Sequence, residues 1–258
     1  MPDQTIRYKT IGDVELIIDI FNPEDHTSTA KRPAIVFFFG GGWNGGTPGQ
    51  FHPHCEYLAS RGMVAMSAEY RVKSRHDTPP SECVKDGKSA VRWVRSHADE
   101  LGIDPNLLAA GGGSAGGHVA AATATVDGFD EDEDQSVSCR PNALVLFNPV
   151  YDTSAEGYGY DRVKDYWEAF SPMHNIDAHT PPTIVFLGTE DSLIPVATAQ
   201  KYKKLMEDAG GRCDLHLYEG QAHGFFNANR NDEYYAKTVI EADKFLASLG
   251  YLNGDPTL

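Results

Sequence analysis

The sequence predicts an α/β protein built on a mostly parallel, doubly wound and twisted sheet with helices on both faces. Three observations predict it. Short unbroken apolar runs recur along the chain, as strands buried on both faces require. Longer segments with helical spacing of apolar residues separate them, so strand and helix alternate. One junction between such a run and a helix, Ala110 to Gly117, is dense in glycine, the residue that tolerates a sharp, crowded reversal.

Residues 5–8 and 14–21 alternate in polarity around a Gly12-Asp13 turn, which predicts an antiparallel pair of edge strands. Continuous apolar strands are expected at 34–39, 64–68, 107–110, 143–147, 183–187 and 215–218. Helices are expected between them at 52–60, 83–97, 115–125 and 196–209, with a closing one at 232–249. In such sheets ligands collect at the carboxyl ends of the strands, so the residues that follow each run are where chemistry is sought.

A chain of 258 residues fits one large domain better than two small ones, and no repeat or linker divides it. The formal charge of −15 argues against a nucleic-acid partner, which needs clustered Lys and Arg. No apolar stretch is long enough for a membrane span, and residues 1–9 do not read as a secretion signal. Cys55, Cys83, Cys139 and Cys213 are scattered without a C-x-x-C pair, so unpaired thiols are expected rather than a zinc or redox site. The acidic run 127–134 lacks the central glycine and terminal glutamate of a calcium loop and reads as solvated.

Four strand ends carry chemistry-bearing residues. Ser114 lies at the centre of Gly112-Gly113-Ser114-Ala115-Gly116, a G-x-S-x-G turn that lifts a hydroxyl above a sheet edge. The flanking glycines are needed because side chains two residues either side of the serine would collide as the strand turns into a packed helix. A serine hydroxyl needs a base, and that base an orienting carboxylate. His223, in the loop after the last apolar run, and Asp191, in the turn after the run at 183–187, supply both. His118 competes for the base, but one helical turn past Ser114 its side chain packs under the turn. Asp152 and Glu190 compete for the acid. Gly40-Gly41-Gly42 can turn backbone N–H groups toward a developing oxyanion, with Ala115 adding the N–H after the nucleophile. Trp43 is either a wall of the acyl pocket or a structural tryptophan.

With Gly-Gly-Gly-Trp, Gly-Gly-Ser-Ala-Gly, Gly-Thr-Glu-Asp and Ala-His-Gly-Phe-Phe in this order, nearly the whole chain resembles the α/β-hydrolase serine esterases. Within them it is most similar to carbohydrate esterases of the acetyl xylan esterase and feruloyl esterase type. It departs from hormone-sensitive-lipase relatives, which commonly carry histidine before the three glycines where this chain has Phe39. The resemblance implies ester hydrolysis through an acyl-enzyme on Ser114, with His223, Asp191 and an oxyanion hole of Gly41, Gly42 and Ala115, and no metal or organic cofactor. It also implies a cap in the insertion 152–175, rich in Tyr158, Tyr160, Tyr166 and Trp167, whose aromatics, with Tyr160 and Trp167 foremost, would stack on a sugar or ferulate ring. Small-molecule or oligosaccharide esters are the expected partners. The rival readings are an arylformamidase, a peptidase-like hydrolase, or a binding module that has lost catalysis.

Overall fold

The computed structural model describes all 258 residues. Eight strands form one sheet: β1 (Gln4–Ile11), β2 (Val14–Phe21), β3 (Arg32–Phe38), β4 (Val64–Ala68), β5 (Ile103–Gly113), β6 (Ala143–Phe147), β7 (Thr183–Gly188) and β8 (Cys213–Tyr218). Their spatial order is β1-β2-β4-β3-β5-β6-β7-β8. β1 and β2 pair antiparallel, β2 joins β4 antiparallel, and every later pair is parallel. Only β1 of the first two is an edge strand, since β2 has β4 on its other side.

Side chains alternate across the parallel strands, and each face has its own core. Ala34, Val36 and Phe38 of β3 join one apolar cluster, while Ile35 and Phe37 join the other. Helices α3 (Pro80–Ser96), α4 (Ala115–Thr125) and α7 (Val196–Asp208) cover the first face. Helices α1 (His52–Ser60) and α8 (Asp232–Ser248) cover the second. On that face Phe37, Phe51, Phe147 and Phe226 pack ring on ring, each burial worth about 2–3 kcal/mol. Three one-turn helices, α2 (Lys73–His76), α5 (Tyr160–Val163) and α6 (Trp167–Phe170), and two 3₁₀ turns, Pro48–Phe51 and Pro172–Asn175, have too few residues for periodicity to reveal them.

Several boundaries differ from expectation by one to four residues, and two of the shifts have clear local reasons. Helix α3 starts three residues early because Pro80, which lacks an N–H, suits the first helical position. Strand β5 continues through Gly111, Gly112 and Gly113, which pair with Val145, Leu146 and Phe147 of β6. Glycine weakens an isolated strand, but here the space leaves nothing else: a Cβ on Gly111 would lie 2.6 Å from the Phe37 ring.

The acidic run 127–134 corrects its solvated reading. Asp127, Asp132 and Asp134 are exposed, but Asp130, Glu131 and Glu133 are half-buried against α3 and β1. Asp130 and Glu133 pair with Arg92 at 2.6 and 2.8 Å, and Glu131 pairs with Arg71 at 2.6 Å. Arg71 also clasps the fully buried Asp86, to which Lys9 donates at 2.7 Å. Basic side chains contributed by distant segments decide this, and nothing within the run reports them. All four cysteines are free thiols.

Candidate active site

The chain order of the sheet reverses beside β3: from β3 it passes to β4, then crosses back to β5 on the other side. The loops that leave β3 and β5 therefore part and open a crevice at the carboxyl ends. Ser114 stands there, between β5 and α4, with φ 54° and ψ −118°. A non-glycine residue rarely holds that conformation, and the surroundings enforce it. Its N–H donates to Phe147 at 2.9 Å, and its carbonyl accepts from His118 and Val150 at 3.0 Å each. Crowding excludes side chains at the flanking glycines. A Cβ on Gly112 would come 2.4 Å from the Gly116 carbonyl oxygen, and one on Gly116 would come 2.1 Å from that of Phe38.

The loop after β8 brings His223 to this serine, with Nε2 2.9 Å from Ser114 Oγ. The loop after β7 brings Asp191, whose Oδ2 lies 2.7 Å from His223 Nδ1. Asp191 Oδ1 accepts the backbone N–H groups of Leu193 and Ile194 at 2.9 and 3.0 Å, so the buried carboxylate is held on both sides. The two other acids lie outside this row. Glu190 is exposed, and Asp152 accepts from the Ser154 N–H at 2.9 Å. His118 is fully buried and donates from Nε2 to the Phe170 carbonyl at 2.9 Å; burial lowers its pKa to about 3, so it stays neutral.

The glycine loop after β3 faces the same crevice. The N–H groups of Gly41 and Gly42 donate to no acceptor of the chain, and Ala115 opens α4, where an N–H has no intrahelical partner. Gly41 adopts φ +130°, a conformation that side chains resist. The loop has other anchors in place of the histidine that Phe39 replaces. Gln50 Oε1 accepts from the Gly40 N–H at 2.6 Å, and Tyr70 donates to the Phe39 carbonyl at 2.5 Å. From the insertion, Arg162 donates to the Gly42 carbonyl at 2.5 Å and lies over the rings of Trp43 and Tyr158.

A cavity of about 670 Å³ opens over Ser114 and His223, walled by the glycine loop, Gln50, Asn148, Tyr158, Leu193 and residues 226–230. Three expected substrate contacts do not border it. Trp43 is 1% exposed and packs edge-on against His118 and tilted against Phe170, beneath the loop rather than in the cavity. Trp167 packs on His174, and Tyr160 begins α5 away from the opening. Tyr158 is the aromatic of the insertion that reaches the cavity, because the left-handed Gly159 that follows it fits against the Trp43 ring.

Sequence reasoning missed Asn148, Gln50, Tyr70 and Arg162. Asn148 carried a usable signal, being the first residue past β6. It accepts the Gly224 N–H at 2.8 Å and so braces the histidine loop. The other three come from segments with no local signature. No three His, Cys, Asp or Glu side chains converge where they could hold a metal ion, and no helix is long and apolar enough to cross a membrane.

A family model described as alpha/beta hydrolase fold matches residues 35–227. Esterase 2 of Thermogutta terrifontis is 48% identical; its apo structure superposes with a TM-score of 0.94, covering 98% of this chain and 96% of that one. The same enzyme phosphorylated by paraoxon superposes with a TM-score of 0.93 at the same identity and coverage. Among curated relatives, the probable carboxylic ester hydrolase LipM of Mycobacterium tuberculosis is 31% identical over 211 residues, 72% of this chain and 47% of its own length. An acetylxylan esterase of Xylanibacter ruminicola is 28% identical over 189 residues, 66% of this chain and 36% of its own length. The chain spans about half the length of the curated relatives it matches first.

Proposed function

The chain belongs to the alpha/beta hydrolase fold family, and from that premise we propose that it is a serine carboxylic ester hydrolase with Ser114, His223 and Asp191 as its triad. The observation that carries this reading is the unbroken row of contacts from Ser114 Oγ through His223 to Asp191 Oδ2, at 2.9 and 2.7 Å. Asp191 accepts from Nδ1–H and leaves Nε2 free to take the serine proton as Oγ attacks the ester carbonyl. Negative charge then grows on the carbonyl oxygen, beside the uncommitted N–H groups of Gly41, Gly42 and Ala115, each worth about 3 kcal/mol in a site that excludes water. His223 returns the proton to the departing alcohol, and water repeats the sequence on the acyl-enzyme.

Small acyl esters of a carbohydrate, acetyl esters first, are the proposed substrates. Support comes from the acetylxylan esterase relative and from a cavity whose border is mostly polar and glycine-rich. Tyr158 takes the place expected of Tyr160 and Trp167 as the ring against which a sugar would stack. A feruloyl group has less support, since those two residues lie outside the cavity border. The 152–175 segment serves as a cap within a single domain.

The test is acetate release from acetylated xylo-oligosaccharides by wild type and Ser114→Ala, with a fluorophosphonate probe alongside. Rapid labelling at Ser114 and serine-dependent acetate release support the reading. No labelling overturns the esterase, and labelling without acetate release overturns only the carbohydrate substrate.

A further inference from the structure

We propose that Arg230 makes this site selective for esters that carry a carboxylate besides the scissile group. The inference rests on the esterase reading and adds the chemical class of substrate. The chain has a formal charge of −15, yet no aspartate or glutamate borders the cavity over Ser114. Arg230 does border it. A cation in an otherwise uncharged border, on a strongly acidic protein, marks the place where an anion is received.

The other arginines are committed elsewhere. Arg7, Arg32, Arg61, Arg71, Arg75, Arg92, Arg140 and Arg212 are paired with carboxylates. Arg95 is spent on the carbonyls of Pro105, Ser138 and Arg140, and Arg162 on Gly42 and two aromatic faces. Arg230 makes one hydrogen bond, from Nη1 to the His223 carbonyl at 3.2 Å. Its Nη2 and Nε have no acceptor within the chain. That bond brings the exposed guanidinium to the backbone of His223, and the free donors form the planar fork that binds a carboxylate in two-pronged fashion. The amide of Asn227, held at 2.7 Å by Gln50, and the exposed Asn229 flank it and add neutral polar groups with no competing charge.

The carboxylate can belong to the acyl half or the alcohol half of the ester, and two substrate pairs distinguish them. Monomethyl succinate against methyl butyrate tests the acyl side. Acetoxyacetate against ethyl acetate tests the alcohol side. Wild type, Arg230→Lys and Arg230→Gln are compared by the ratio of kcat/KM for the anionic ester to that for its neutral partner. In at least one pair Arg230→Gln is expected to lower the ratio about ten-fold, with Arg230→Lys between, as one charge-assisted bidentate contact is lost. The wild-type ratio should also fall as ionic strength rises. An equal loss on all four esters makes Arg230 a support for the histidine loop and overturns the proposal. Should Arg230→Gln not fold, wild-type inhibition by succinate against butyrate decides: tighter succinate binding supports the proposal, and equal binding overturns it. Hydrolysis of the neutral esters that persists in Ser114→Ala overturns the reading of Ser114 as the nucleophile, independently of any charge preference.

Discussion

Replacing Asp191 with asparagine removes one charge and nearly preserves shape, so its effect isolates what the carboxylate does for His223. In the native site two backbone N–H groups, from Leu193 and Ile194, point at Oδ1, and Oδ2 faces His223 Nδ1. The asparagine must keep its oxygen on those two donors, because an NH₂ group cannot accept from them. Its NH₂ then faces Nδ1 and donates to it, which drives the ring proton onto Nε2. An Nε2 that already holds a proton cannot take one from Ser114 Oγ. Turning the amide over instead leaves two buried N–H groups unpaired, at about 1–3 kcal/mol each. The imidazolium formed during attack also loses a charge-assisted hydrogen bond worth about 1.5–3 kcal/mol. With each taken near the low end of its range these come to about 4–5 kcal/mol, or about 10³- to 10⁴-fold in kcat. The assay is steady-state hydrolysis of p-nitrophenyl butyrate, with circular dichroism to verify folding. If Asp191→Asn stays within ten-fold of wild type, or Asp152→Asn loses more, the tautomer argument is wrong.

Arg162→Ala releases the Gly42 carbonyl and the stack on Trp43 and Tyr158, so kcat on the same ester should fall about ten-fold with KM nearly unchanged; a rise in KM alone would make Arg162 a substrate contact. Asp86→Asn strips a fully buried carboxylate from Arg71 and Lys9 and should cost about 3–5 kcal/mol in urea unfolding, while the exposed Asp132→Asn should cost less than about 0.5. Burial holds His54 and His118 at pKa values of about 3, lowered from 6.5. Above pH 6.5 both states are neutral there; below it the unfolded chain takes up protons that the folded chain refuses, so stability falls as pH drops toward 3. Between pH 7 and 5 the loss is about 2 kcal/mol per histidine. His54 sits among the rings of Phe37, Phe51, Phe147, Phe226 and Tyr235 with neither nitrogen bonded. His54→Phe should therefore remove its share of the acid loss, and an unchanged pH slope in urea midpoints would refute this account.

The sequence by itself determined the order of elements and the residues at the strand ends. Short unbroken apolar runs bounded by turn signals read as strands, although the last of them, at 215–218, proves to lie in the partly exposed edge strand β8, and the glycines around Ser114 report a local crowding that any fold with that turn would share. For the same reason Ser114, Asp191 and His223 were legible: each sits in its own strand-end loop with a local signature. What tertiary structure decided is everything carried by partners distant in sequence. Trp43 became a buried prop under the glycine loop because His118 and Phe170 arrive from other elements to enclose it. Half of the acidic run became a clamp because Arg71, Arg92 and Lys9 converge on it. Arg162 reaches the Gly42 carbonyl 120 residues away, and Arg230 meets the His223 carbonyl rather than a carboxylate. A local pattern records what one segment needs of its own backbone; it holds no record of which distant charge or ring will be packed against it.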